Sequence, residues 1–581
     1  MSPPRQAAVG QRLMARIWRL LAPFRWTLVA GLVAVVVYVG SQMAMPLVIS
    51  GAIDASRGDL ARTLPPVMGL YALLVVTNGG GHFVQNWVAG ETTQRTIFRL
   101  RREMFLRLQA IAVSGLEATP AGQIMSRLQG DLAVLQEFLE GWIFALSDFL
   151  MLAGVMAIIV AIDWRLGLLT LAGLPVLIAA RVLWQPRAEA RFRQARTEAG
   201  LLNAALAQNI TGVRIVQSAG REDRNLVEFA AMARRNLDTQ VRAAWAGQVM
   251  APLVDLLTGL ALAVAILVGA PTAARGLFPV GVVVAYVLYI RRLFDPVRSL
   301  SQQYTLMQRA FAAGERILEI LEQPDGLAYP VATVAAQPSA GCLQFDAVTF
   351  GYAAEAPVIH DITFRVGAGE TVALVGPTGS GKTTIASLAL RLFDVWDGRV
   401  LLDGVDVRSL PRQALSRAVG IVLQEPYLFT GTVFDNILYS TPGASKAEAI
   451  EAAKAVRAHD FIERLPNGYD TALSPHGANL SAGQRQLLSF ARTLVRDPRI
   501  LVLDEATASI DSFTERDIQA ALKVLFAGRS SLIIAHRLAT IRHADRILVM
   551  NQGRIVEAGR HGELVAARGV YARLHDRSEV A

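Results

Sequence analysis

Several short stretches carry residue types suited to chemistry on a phosphate. "TVALVGPTGSGKTT", from Thr371 to Thr384, leads from a β-rich apolar run through Gly376 and four further residues to Gly381, Lys382 and Thr383. Glycines let backbone N–H groups wrap the β- and γ-phosphates, a lysine adds a point charge, and the Thr383 hydroxyl can hold Mg²⁺. The candidate phosphate contacts are Gly376, Pro377, Thr378, Gly379, Ser380, Gly381, Lys382, Thr383 and Thr384. Composition sharpens this: the chain has only four lysines against 53 arginines, and none precedes Lys382. "RILVLDEATASID", Arg499 to Asp511, ends an apolar strand at Asp504, placed to reach Mg²⁺. Glu505 follows and is the candidate to polarise an attacking water. "SLIIAHR" puts His536 at the end of another apolar strand, a placement parallel to Asp504 that points to a γ-phosphate contact. Gln424, in "IVLQEPYLF", sits just past a short apolar run and means little as a bare glutamine.

"SPHGANLSAGQRQ", Ser474 to Gln486, differs in kind. It has one titratable group, His476, no carboxylate, and no nucleophile beside a base. Ser481 can cap the helix-like run that follows, which leaves free N–H groups at a positive dipole end, a ready anion site. The stretch can therefore meet an anion but needs the rest of a site from elsewhere.

Long apolar segments must be housed around these motifs. Of 581 residues, 53% are hydrophobic, and the excess lies before about Asp295; the mean hydropathy of +0.37 is high for a soluble protein. Six segments read as membrane spans: Trp26 to Ile53, Leu64 to Gly90, Gly141 to Ile162, Leu166 to Trp184, Ala243 to Ala274, and the shorter Gly276 to Ile290. A bilayer needs roughly 20 apolar residues per helix. Arginine placement sets orientation. The first 25 residues hold five arginines and no acid, and 91–136 and 185–242 are arginine-rich, whereas the alternate loops are short and nearly balanced. Both ends therefore lie on the cytoplasmic side, and the two long inward segments read as spans extended beyond the membrane. The net charge of +9 fits such loops and does not call for nucleic acid. "RLMARIWRLLAPFRW" reads as an amphipathic helix on the inner membrane face. No cleavable secretory signal is evident, and the single cysteine, Cys342, rules out an intrachain disulfide framework.

These motifs together resemble the nucleotide-binding domain of ABC transporters, over Leu343 to about His575. "LSAGQ" at 480–484 is similar to the family signature, usually LSGGQ. The resemblance implies that Tyr352 in "FGY" stacks on adenine, that Gln424 is the Q-loop residue linking Mg²⁺ to the membrane domain, that Asp511 closes the D-loop, and that His536 is the switch histidine. "TPAGQIMSRLQGD" (119–131) and "LNAALAQNITGVRIVQSAGRED" (202–223) resemble the family's coupling segments, and "LFDPVRSLSQQYTLMQRAFAAGERILEIL" (293–321) its sixth helix. The implied architecture is that of a type IV exporter half-transporter: an all-α six-helix transmembrane domain with an N-terminal elbow helix over 1–325, a linker over 326–342, and an α/β P-loop NTPase (ABC ATPase) domain over 343–578. In the family's head-to-tail dimer the signature of one chain faces ATP held by the other, so Ser481, Gly483 and Gln484 would serve the partner's site.

Two positions depart from the family pattern. "TALSPHG" (471–477) puts Pro475 where exporters usually carry a glutamate, and Ala482 replaces the middle glycine of the signature. The chain's own phosphate loop, Asp504, Glu505 and His536 read as complete. This division implies a heterodimer with a second half-transporter, the homodimer being the alternative. The expected function is ATP-driven export by a multi-pass protein of a bacterial inner membrane, with ATP and Mg²⁺ as cofactors and a small molecule, lipid or peptide as cargo. An ABC-type importer or an ATP-gated channel is the alternative on the same fold. The cargo is not legible. Asp148, Asp255 and His82 fall within spans, where ionisable groups are costly and often functional, and helix packing explains each equally well. Arg291, at the inner end of the sixth span, is a candidate contact for an anionic cargo.

Overall fold

The computed structural model describes residues 12, 14–55, 60–113, 115, 119–274, 279–330, 340–353, 355–504, 512–535, 541–542 and 544–580. The chain forms two compact units, one of residues 1–106 and 122–322, the other of 107–121 and 323–581.

The first unit is helical. Its main helices are α1 (Arg25–Ala55), α2 (Leu60–Ala110), α3 (Leu132–Ile162), α4 (Trp164–Leu171), α5 (Gly173–Thr211), α6 (Glu222–Gln248), α7 (Met250–Ala274), α8 (Val280–Leu293) and α9 (Asp295–Leu321). Residues 14–21 are also helical, with Ile17 and Leu21 buried and Trp18 exposed; a 3₁₀ turn at Ala22–Phe24, containing Pro23, separates them from α1. Among the described residues, five helical stretches are long and apolar enough to cross a membrane. α1 shows why they need one: Val29, Leu32, Val33 and Val36 are exposed along one side, a row that water would not tolerate and hydrocarbon would. Asp163 begins α4, its carboxylate accepting from the N–H groups of Arg165 and Leu166.

The sixth span, read from the sequence as the shorter Gly276 to Ile290, is short in the structure too. It is α8, whose 14 residues rise only about 21 Å, short of the roughly 30 Å hydrocarbon core. Helical structure then breaks at Phe294, just before Pro296, and resumes as α9. α8 is tied to α1 at a second proline. Pro46 lies inside α1 and has no N–H, so the Gln42 carbonyl one turn back has no helical donor. The guanidinium of Arg292 donates to that carbonyl, and the Tyr289 hydroxyl donates to the Met43 carbonyl. Other polar groups in the spans have packing roles: His82 stacks on Tyr38 with centroids 5.1 Å apart, and Gln85 donates to Ser147 at 2.8 Å.

The second unit is α/β. One sheet is antiparallel, in the order β2 (Ile359–Val366), β1 (Leu343–Phe350), β4 (Asp397–Leu402), β5 (Val405–Asp406). The larger sheet runs β12 (Arg554–Gly559), β11 (Arg546–Asn551), β3 (Thr371–Val375), β10 (Ser530–Ile534), β9 (Ile500–Asp504), β6 (Val419–Val422). All its neighbours are parallel except β11 and β12. A two-residue pair, β7 (Gly431–Thr432) with β8 (Ala472–Leu473), lies apart. The central strands are continuous apolar runs because both faces are covered. Side chains alternate between two cores: Ala373, Val375, Leu501, Leu503 and Ile533 on one face; Val372, Leu374, Val502, Leu532 and Ile534 on the other. Three helices matter to the site: α10 (Lys382–Ala389), α11 (Ala482–Arg496) and α12 (Ser512–Phe526). The incoming chain is fastened to this unit by Arg391, which lies under the Tyr329 ring at 4.4 Å, donates to the Ala328 carbonyl at 2.9 Å, and pairs with Asp394.

Candidate functional site

Strand register builds the site. Leu374 of β3 lies opposite Ile534 of β10, and Ile534 lies opposite Asp504 of β9. The carboxyl ends of three parallel strands therefore fall on one edge of the sheet, the edge where open α/β sheets bind ligands. β3 leaves that edge into the glycine loop and α10. β9 ends there at Asp504, which is half-buried. β6 runs beside β9, with Val422 opposite Leu503, so exposed Gln424 follows at the same edge. Glu505, Asp511 and His536 lie outside the described residues.

The loop has the shape of an anion cradle. Gly379 and Gly381 have φ of +82° and +99°, values that side chains other than glycine's adopt rarely. A Cβ at Gly376 would sit 2.2 Å from the Met550 carbonyl oxygen, so only glycine lets the loop pass that close. Pro377, Thr378, Gly379 and Thr383 are exposed, while Ser380, Lys382 and Thr384 are buried. Among the described residues the buried Ser380 hydroxyl has no hydrogen-bond partner, and a phosphate oxygen would supply one. Lys382 donates from Nζ to the Gly376 and Pro377 carbonyls at 2.8 and 3.0 Å. Burial pushes its ammonium below the ordinary lysine range, and the Asp504 carboxylate pushes it back up. The loop thus has the donor set for a polyphosphate. The exposed Thr383 hydroxyl, Asp504 and Gln424 are hard oxygen donors of the kind Mg²⁺ takes.

An aromatic group adjoins the loop. Tyr352 is exposed, its hydroxyl 3.1 Å from the Thr384 hydroxyl. Its ring meets the edges of Phe350 and Phe393 at 5.3 and 5.2 Å, and Phe350 reaches Trp396 at 6.1 Å. Sequence reasoning found Tyr352 alone. The aromatics of "RLFDVWDG" after α10 were the available signal for the rest.

Ser481 caps α11 as its position suggested. Its hydroxyl accepts from Gln484 N at 3.2 Å, and the Gln484 side chain accepts from Ser481 N at 2.9 Å, a reciprocal capping box. Ser481 and Ala482 are exposed and Gly483 is buried. Before the cap, Pro475 opens a one-turn 3₁₀ segment in which His476 has φ of +58°. The His476 ring packs edge-on against Tyr427, centroids 4.8 Å apart.

Arg492, which the sequence did not single out, ties α11 to the segment after Gln424. It donates to the Asn436 carbonyl, the Asn436 side-chain oxygen and the Tyr427 carbonyl, each at 2.9 Å. Buried Asn436 clasps both backbone groups of Phe429. Burial pushes the Arg492 guanidinium below its ordinary range, so its three acceptors are needed. Arg492→Ala is expected to cost about 2–4 kcal/mol, because buried acceptors lose a charged donor. Thermal unfolding of the full chain in detergent should show a clearly lowered Tm; an unmoved transition would remove Arg492 from this role.

Comparison with known proteins adds identity to geometry. A family model described as the ABC transporter transmembrane region matches residues 15–297, and one described as ABC transporter matches 359–508. An uncharacterized ABC transporter ATP-binding protein, YknV of Bacillus subtilis strain 168, is 34% identical over 567 residues, spanning 96% of this chain and 94% of that protein. The chain belongs to the ABC transporter family. An ATP-dependent lipid A-core flippase of Chromobacterium violaceum is 34% identical over 92% of this chain and 91% of its own length. A solved structure of a bacterial Atm1-family ABC exporter with ATP bound superposes with a TM-score of 0.76 at 29% identity, over 96% of this chain and 99% of that one. The protein is thus a multi-pass ABC exporter half-transporter, a helical membrane domain fused to an ATPase, which binds ATP and couples its hydrolysis to transport. ABC exporters work as dimers.

Proposed function

We propose that the two halves of this exporter divide the chemistry as follows. The loop from Gly376 to Thr384 and Tyr352 hold ATP. Thr383, Asp504 and Gln424 hold Mg²⁺, which neutralises phosphate charge. Glu505 polarises the attacking water, and His536 contacts the γ-phosphate. Ser481, Gly483, Gln484 and Asp511 complete the site of the partner protomer. Residues 1–325 form the membrane domain, 326–342 the linker and 343–578 the ATPase, which faces the cytoplasm beneath a bacterial plasma membrane. The observation that carries this reading is the cradle itself, with the strand ends of β3 and β9 on one edge and a buried Ser380 hydroxyl awaiting an acceptor or donor. ATP-dependent uptake of a compound panel into inverted vesicles tests export. ATP-gated ion conductance without uptake would overturn it in favour of a channel.

The physiological unit in this proposal is a heterodimer. Ala482 presents its methyl group at the exposed start of α11, where the usual glycine would let a phosphate approach the backbone. The partner should carry LSGGQ and end its strand equivalent to β9 in a residue other than glutamate after the aspartate. This chain purified alone in lipid is therefore expected to hydrolyse ATP poorly. A stable homodimer that turns over at a normal transporter rate and moves cargo would refute the heterodimer and leave export standing.

A further inference from the structure

We infer that the membrane domain binds an amphipathic anion with a single apolar chain, in a cavity between α3, α5 and α9 whose one charged group among the described residues is Arg181. The assignment rests on the exporter reading and names the class of its cargo. The cavity measures about 450 Å³, within the range of small-molecule sites. Its wall is almost wholly apolar, with Met156, Leu174 and Ile178 prominent, and its polar groups are Arg181, Gln185 and Tyr304. No acid lines it. Among the described residues Arg181 has neither an ion pair nor a hydrogen bond, although Gln185 is engaged with Glu189. An arginine without a counter-ion on a membrane-crossing helix is costly and marks a function.

Depth fixes which part of a ligand meets which wall. Asp163 starts the helical path, in the short loop that arginine placement assigns to the outer side. From Trp164 to Arg181 that path climbs about 25 Å of a roughly 30 Å core. Arg181 therefore lies at the inner edge of the hydrocarbon, with Ile178 and Leu174 one and two turns deeper on the same helix. An amphiphile in the inner leaflet would meet the cavity with its anionic end at the guanidinium and its chain along the apolar wall. A cation would face Arg181 unpaired, and a neutral chain would leave it unpaired, so charge complementarity selects the anion. Arg291, the arginine expected from sequence to meet such a cargo, does not line this cavity, and its neighbour Arg292 is committed to Gln42.

The test uses the purified full-length transporter in nanodiscs of neutral phosphatidylcholine. 12-(1-Pyrenyl)dodecanoate and its alcohol analogue serve as probes, read by energy transfer from tryptophan. The carboxylate should bind at least tenfold more tightly than the alcohol. Arg181→Gln should abolish that difference, Arg181→Lys should restore much of it, and Ile178→Trp, which fills the cavity, should weaken both probes. Equal affinity for the two probes, or an unchanged difference in Arg181→Gln, would overturn the assignment. Competition separates the sources of the anion: displacement by palmitate identifies a free acid and displacement by phosphatidylglycerol a lipid headgroup, while displacement by neither rejects the site. A wild-type transporter that moves other cargo with ATP but binds no pyrenyl dodecanoate rejects this cargo class and leaves the export reading intact.

Discussion

Glu505→Gln is expected to leave ATP bound and slow its hydrolysis by at least about 10²-fold, the usual contribution of a general base. The amide keeps the shape of the side chain and removes its basicity. β9 is buried as far as Leu503 and delivers half-buried Asp504 to the sheet edge, and Glu505 follows it in sequence. Because the chain must still bind nucleotide, the ATP-closed dimer should accumulate. Phosphate release and retention of labelled ATP, measured together on the reconstituted dimer, check both halves of the expectation. Turnover near the wild-type rate would take Glu505 out of the role.

Lys382→Ala should fail one step earlier. Its ammonium is buried and bonded only to the loop's own carbonyls at Gly376 and Pro377 among the described residues, a position from which a phosphate can recruit it. A hydrogen bond to a charged group contributes about 1.5–3 kcal/mol, so the affinity for ATP should fall by roughly 10–100-fold. Direct nucleotide binding, rather than turnover, reads this. A variant that binds ATP as tightly as wild type, yet does not hydrolyse it, would move Lys382 from holding the nucleotide to the chemical step alone.

The two variants act on motifs that were legible because each is local. The glycine loop, the capping box at Ser481 and Gln484, and the apolar runs of β3, β9 and β10 are each written in fewer than twenty consecutive residues. Their periodicity and capping chemistry need no knowledge of the rest of the chain. Features built from distant segments were not legible. Nothing near Arg292 announces that its acceptor is a carbonyl released by Pro46. Nothing near Arg492 announces Asn436. The cavity at Arg181 needs three helices at once, whereas the place of Arg291 at the end of a span is visible in one stretch of sequence. The shortness of the sixth span was legible, but the break that follows it was not. Pro296 has no N–H for the Arg292 carbonyl and its ring crowds that carbonyl, and the break at Phe294, just before a helix that carries Pro296 in its first turn, follows from that.

The bond between Arg292 and the Gln42 carbonyl also constrains how this sequence can drift. Losing Pro46 alone would let α1 remake its own bond to Gln42, and the guanidinium of Arg292 would then share or lose that carbonyl. Losing Arg292 alone would leave a carbonyl stranded instead. Each single change is worse than the pair made together, so the two positions are epistatic although 246 residues separate them. A lineage that replaces Pro46 must also give up the arginine in α8, and one that keeps the arginine must keep the proline.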